Sequence, residues 1–129
     1  MRIYLDHNST TPLRNEAKQA MIDAMTVVGN PSSVHLEGRV AKALIENARM
    51  KIADAIGAVG ADIIFTSGAT ESAALALIGR DIACSRIEHE AVTSWCDVEL
   101  LVNRYGLVEV KKPSQSALQI ANSETGIIQ

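Results

Sequence analysis

Three short segments of the chain carry residue types suited to ligand binding or proton chemistry. Thr66-Ser67-Gly68-Ala69-Thr70-Glu71-Ser72 is a run of small and hydroxyl-bearing residues between an apolar stretch and a helical pattern. Small side chains let an anion approach the backbone. The first amides of a helix have no internal acceptor, and the helix dipole favours negative charge there. Ser67, Thr70 and Ser72 add hydroxyl donors, so phosphate is the ligand class this turn suits. A plain strand–helix turn with Thr70 near the cap explains the same residues. It is not a Walker loop, since no Gly-Lys-Ser/Thr follows, and it is not GxGxxG.

Glu88-His89-Glu90-Ala91-Val92 is the second segment, at the junction of an expected strand and its helix. A histidine there is often a cap or a surface residue. In an open α/β sheet, however, ligands sit at the carboxyl ends of the strands, which puts His89 on the rim expected for the Thr66–Ser72 turn. The third segment, Ala121-Asn122-Ser123-Glu124-Thr125-Gly126, follows another expected strand and either reaches a ligand or closes a turn at Gly126. Two further polar loops, Asp6–Pro12 and Gly29–His35, read as capping and turn chemistry. Their histidines, His7 and His35, form no metal site with nearby carboxylates, and no metal is expected.

The elements that must position these residues follow from periodicity. Ala17, Met21 and Met25 predict a helix from about Arg14 to Met25. Val40, Ala41, Leu44, Ile45, Ala48, Ile52, Ala55 and Ile56 form an apolar stripe of a longer helix that Gly57 ends. Asp62–Thr66 reads as a buried strand leading through Ser67-Gly68 into a helix over about Thr70–Ile78. A second strand at Ile82–Ser85 precedes a helix over about Glu90–Asn103, with Val92, Trp95, Cys96 and Leu100 on one side. Leu107–Val110 and Ala117–Ala121 read as the third and fourth strands. This alternation predicts an α/β fold with a mainly parallel sheet flanked by helices. With no repeat and no linker, residues 1–129 read as a single unit.

Composition narrows the function. The 129 residues are 47% hydrophobic and 21% charged, as in an ordinary globular domain, and the net charge of -3 argues against nucleic acid and anionic membranes as partners. No apolar run approaches the ~20 residues of a membrane span, and Asp6 interrupts any signal-peptide pattern. Cytoplasmic residence is expected. Cys84 and Cys96 have neither CxxC spacing nor metal-ligand neighbours, and suit buried small side chains.

The ordered set YLDHNSTTP, GNPSSVH, FTSGATES, EHEAV and ANSETG resembles the N-terminal half of the cysteine desulfurases, class V aminotransferases of the fold-type I pyridoxal-phosphate (PLP) group. The resemblance runs from Tyr4 to Gln129. It implies part of the fold-type I large domain, PLP as cofactor and L-cysteine as substrate, giving alanine and persulfide sulfur for iron–sulfur cluster assembly or other sulfur transfer. By resemblance, Gly68, Ala69 and Thr70 match the phosphate-binding turn. His89 matches the catalytic histidine that stacks on the PLP ring and moves protons. Asn122 and Ser123 stand where the family has two asparagines near the cofactor, so Ser123 departs from the pattern.

Other departures are larger. The connections after Gly79 and after Gly106 look short for the family. The family's Schiff-base lysine, its aspartate on the pyridine nitrogen and its sulfur-accepting cysteine have no matching positions up to Gln129. Lys18, Lys42, Lys51, Lys111 and Lys112 fall on helix faces or a strand end. Three explanations stay open: a fragment of a longer enzyme, one half of a split enzyme, or a non-catalytic binding or assembly module. The resemblance implies a homodimer, or a second chain bringing the lysine-bearing part.

Overall fold

Two helices form the regular structure before Ile64 in the computed structural model, which describes residues 3–129. Helix α1 spans Asn15–Met25 and α2 spans Leu36–Ala55, close to the ranges expected from periodicity. Gly57, at φ +68°, ends α2. Its amide donates to Asp54 O at 3.2 Å while Ala58 N reaches Ala53 O at 2.8 Å, the paired bonds of a Schellman stop, which needs the left-handed conformation glycine adopts freely. The loop before α2 packs on its first turn. A Cβ on Gly38 would lie 2.4 Å from Ser33 O and 2.7 Å from Asn30 O, so only glycine allows that approach.

The α2 stripe does not form the core expected of it. Gly38 and Ala41 are the helix's buried residues, while Val40, Leu44, Ile45 and Ile52 are exposed. Periodicity reports that a face is apolar; a covering element has to be supplied by something else.

The chain divides into two compact units, one ending at Ile64 and the other Phe65–Gln129. The second is a small α/β assembly. Helix α3 (Ala69–Leu77) leads to strand β1 (Ala83–Ser85), the one-turn helix α4 (Glu90–Thr93), strand β2 (Asp97–Leu100) and a 3-10 turn at Pro113–Gln115. Strands β1 and β2 pair in parallel, with Ala83 opposite Asp97 and Cys84 opposite Val98. Helix α3 packs on α4, and α4 touches β1. The α/β class and the parallel sheet are therefore as expected, in minimal form.

Four expected elements differ. Residues 62–66 form no strand, and Ile64 and Phe65 are exposed, so the buried strand expected there is not formed. The helix expected over Glu90–Asn103 stops at Thr93, where the Ser94 hydroxyl takes Glu90 O at 2.7 Å. The chain then joins β1, beginning with Asp97 N to Ile82 O at 2.9 Å. The i, i+4 spacing of Val92, Cys96 and Leu100 suits a helix, but pairing with β1 overrides it. Leu107–Val110 is a hairpin return bridging Val102 to Val108 antiparallel, closed by Asn103 Oδ1 on the amides of Tyr105 and Leu107. Ala117–Ala121 contributes isolated contacts instead of a strand: Ser116 bridges Ala83 in parallel, and Ala121 bridges Ile128.

Candidate functional site

The turn before α3 takes the form that anion binding requires. Gly68 is the N-cap, in extended conformation, and no acceptor meets the amides of Gly68, Ala69 or Thr70 among the described residues. A Cβ added at Gly68 would touch nothing within 4 Å, so the glycine itself is not crowded. The flanking hydroxyls brace the turn: Thr66 Oγ1 lies 2.7 Å from Ser72 Oγ and donates to Gly68 O at 3.1 Å. Glu71 adds the one internal anion, its carboxylate accepting from Ser67 N at 2.7 Å and Ser67 Oγ at 2.6 Å. The Ser67 hydroxyl, then its amide, hold this exposed carboxyl below its ordinary pKa. A phosphate would fit the open amides beside Glu71, against the cost of a neighbouring like charge.

His89 is the N-cap of α4, its Nδ1 accepting from Ala91 N at 3.1 Å, and its ring is exposed. That bond fixes the neutral tautomer: Nδ1 is the acceptor, so Nε2 carries the proton and points away from the cap.

Asn122 is 2% exposed and committed at both ends to the fold. Its Nδ2 donates to Ile87 O at 2.8 Å and to Gln119 Oε1 at 3.4 Å. Its Oδ1 accepts from Glu124 N at 3.0 Å, Thr125 N at 2.9 Å and Thr125 Oγ1 at 3.1 Å. Ser123, half-buried, follows with its amide 3.4 Å from Gln119 Oε1. Beside them the buried Glu88 carboxylate accepts from Gln119 N at 3.1 Å. The structure thus joins the segment that carries His89 to the turn that carries Asn122 and Ser123. The sequence pointed to both segments; the tie made by Glu88 and Gln119 it did not reveal. An acid three residues past a strand end was the available signal.

A cavity of the second unit lies elsewhere. It encloses about 410 Å³ and is lined by Asp81, Asp97, Glu99, Glu109, Lys111 and Lys112 among others, with none of the expected site residues. No group of three or more potential metal ligands occurs among the described residues. Of the two free cysteines, Cys84 is fully buried and Cys96 half-buried. Desolvation first, then the neighbouring Cys96, pushes the Cys84 thiol up to about 11, and burial raises Cys96 as well. Neither is a thiolate nucleophile at neutral pH.

The family Aminotransferase class-V matches residues 3–127. The chain belongs to the class-V aminotransferase family. Among its curated relatives, this class-V chain is 40% identical to "Cysteine desulfurase IscS" of Dictyoglomus turgidum, over 98% of its own length and 39% of the relative's. It is 39% identical to "Cysteine desulfurase IscS 1" of Archaeoglobus fulgidus, covering 98% of this chain and 40% of that protein. A third, "Cysteine desulfurase IscS" of Methanosarcina thermophila, is 38% identical over 98% of this chain and 38% of its own. The chain therefore spans about two-fifths of these relatives, in their N-terminal part. The first alignment runs over 154 positions against a chain of 129 residues, so the relative carries residues within that span that this chain lacks. No helix among the described residues is long and apolar enough to cross a membrane.

Proposed function

We propose that this chain provides the phosphate cradle and the proton-handling histidine of a PLP-dependent cysteine desulfurase-like site acting on L-cysteine. The observation that carries the reading is the set of acceptor-free amides at Gly68, Ala69 and Thr70 where α3 begins. Gly68, Ala69 and Thr70 hold the phosphate through backbone N–H groups and the Thr70 hydroxyl. His89 faces the cofactor ring and moves a proton at Nε2, the nitrogen its cap leaves available. Asn122 holds the His89 loop against the Ser123 turn, and the Ser123 hydroxyl takes the polar contact at the ring edge. When bound, PLP supplies the electron sink for breaking the carbon–sulfur bond.

More than half of each relative's length lies outside the matched region. The cofactor-anchoring lysine and the sulfur-accepting cysteine belong to that part, either continuous with this chain or on a second chain, and the working site is a dimer of such parts. The test is a titration of the 129-residue chain with PLP, followed by absorbance, with inorganic phosphate as competitor. Thr70→Ala should weaken binding several-fold, by about 1 kcal/mol for one lost hydrogen bond, and phosphate should displace the cofactor. PLP binding insensitive to both would overturn the reading. Sulfide release from L-cysteine should appear only with a lysine-bearing polypeptide of the family added.

A non-catalytic binding or assembly module is the second reading. It is favoured by the complete internal use of Asn122 and by the capping role of His89. Absence of PLP binding both alone and with the added polypeptide would select it.

A further inference from the structure

Glu88 is the one charged side chain buried among the described residues, 8% exposed. Taking a carboxylate out of water is costly unless it is paired or hydrogen-bonded. None of the ion pairs found among the described residues includes it. It meets a neutral group instead: the Gln119 amide, 31 residues on, donates to Oε1 at 3.1 Å.

The surrounding connection is short. Strand β1 ends at Ser85, whose carbonyl accepts from Glu88 N at 3.2 Å, and α4 begins at Glu90 with His89 as its cap. Residues 87, 88 and 89 are each held by a bond of their own. Ile87 O takes Asn122 Nδ2 at 2.8 Å, the Glu88 carboxylate takes Gln119 N, and His89 Nδ1 takes Ala91 N at 3.1 Å. The first two bonds reach the 119–122 turn, so the peptide entering His89 is fixed on one side while the ring is fixed by its cap on the other. A side chain one methylene shorter, with its reach cut by about 1.5 Å, leaves the Gln119 amide beyond hydrogen-bond range.

We propose that Glu88 is a positioning residue for His89: by holding Gln119 N it fixes the peptide before His89 and keeps Nε2, the proton-bearing nitrogen, in one direction. The property that serves this role is the reach of an acceptor oxygen, and the negative charge is dispensable. Proton transfer requires the donor nitrogen within hydrogen-bond reach of its target, so a wandering ring loses rate. That consequence rests on the proposed function. The hold on the ring belongs to the folded chain and does not.

The experiment follows the His89 ring nitrogens by long-range proton–nitrogen NMR in the labelled 129-residue chain, without cofactor and in mildly alkaline solution. The parent should show the separate Nδ1 and Nε2 shifts of a single tautomer. Glu88→Gln, which keeps the acceptor oxygen, should match it. Glu88→Asp, which keeps the charge, should move the two shifts toward the common average of interconverting tautomers. His35, whose ring caps α2, should stay unchanged in both and reports any general loss of structure. Parent-like His89 shifts in a folded Glu88→Asp would overturn the proposal. So would a perturbed Glu88→Gln beside a parent-like Glu88→Asp, which assigns the role to charge. Should Glu88→Asp fail to fold, the unmodified chain decides: a Gln119 amide that exchanges with solvent as fast as a free peptide overturns the proposal, and a protected one supports it. With PLP and a lysine-bearing polypeptide of the family added, Glu88→Asp should lower kcat several-fold and leave PLP affinity and the KM for L-cysteine as they were. Absence of PLP binding by the parent would count against the proposed function and leave the ring measurement standing.

Discussion

Replacing Asn122 by alanine removes the polar group that joins the His89 loop to the 119–126 turn. The Nδ2 bond to Ile87 O, at 2.8 Å, is the costly loss, because that carbonyl is half-buried and keeps no equivalent donor. Its loss is worth about 1 kcal/mol or somewhat more. The Oδ1 bonds from Glu124 N, Thr125 N and Thr125 Oγ1 close the turn. Glu124 and Thr125 are exposed, so water replaces part of these, at about 0.5 kcal/mol each. The total is about 2–3 kcal/mol, a large fraction of the ~5–15 kcal/mol that holds a domain together. For a cooperative unit of this size the fall in Tm is roughly 10 °C. Thermal unfolding followed by circular dichroism measures it. Hydrogen exchange should show the Glu124 and Thr125 amides losing protection while those of α2 keep theirs. A Tm within about 2 °C of the parent would refute the reasoning, since it would mean that neither Ile87 O nor the turn depends on this side chain.

Other outcomes follow from single contacts. Ser85 is fully buried and its hydroxyl meets no partner among the described residues, so Ser85→Ala should hold or raise Tm; a fall of several degrees would show a bond to that hydroxyl. Gly38→Ala drives a Cβ to 2.4 Å from a backbone carbonyl and should cost about 1–3 kcal/mol in denaturant unfolding. The Glu71 carboxyl is held below its ordinary value of 4.5, so its contribution is present above that pH and is lost as pH falls through the lowered value. The Tm difference between the parent and Glu71→Gln should therefore be present at pH 7 and shrink as pH falls below 4.5; a constant difference would contradict the Ser67 contact. His89→Ala removes the α4 cap and should cost about 1 kcal/mol, while a cofactor-facing role adds a loss of PLP binding beyond that.

The local signals were plain in the sequence. The spacing of Ala17, Met21 and Met25 and the stripe from Val40 to Ile56 located α1 and α2, and Gly57 the stop of α2, because i, i+4 periodicity and left-handed caps are properties of neighbouring residues. The Thr66–Ser72 turn and its open amides were legible for the same reason. Pairing is another matter. Residues 62–66 have a strand's composition yet form no strand, whereas Asp97–Leu100 has a helix's spacing and becomes β2 because β1 offers a ladder. Only tertiary structure could decide these, since a strand is stabilised by the chain beside it. It also decided that Asn122 spends its hydrogen bonds on Ile87 and Thr125, and that Glu88 holds Gln119. Each of these joins residues that a linear pattern leaves apart.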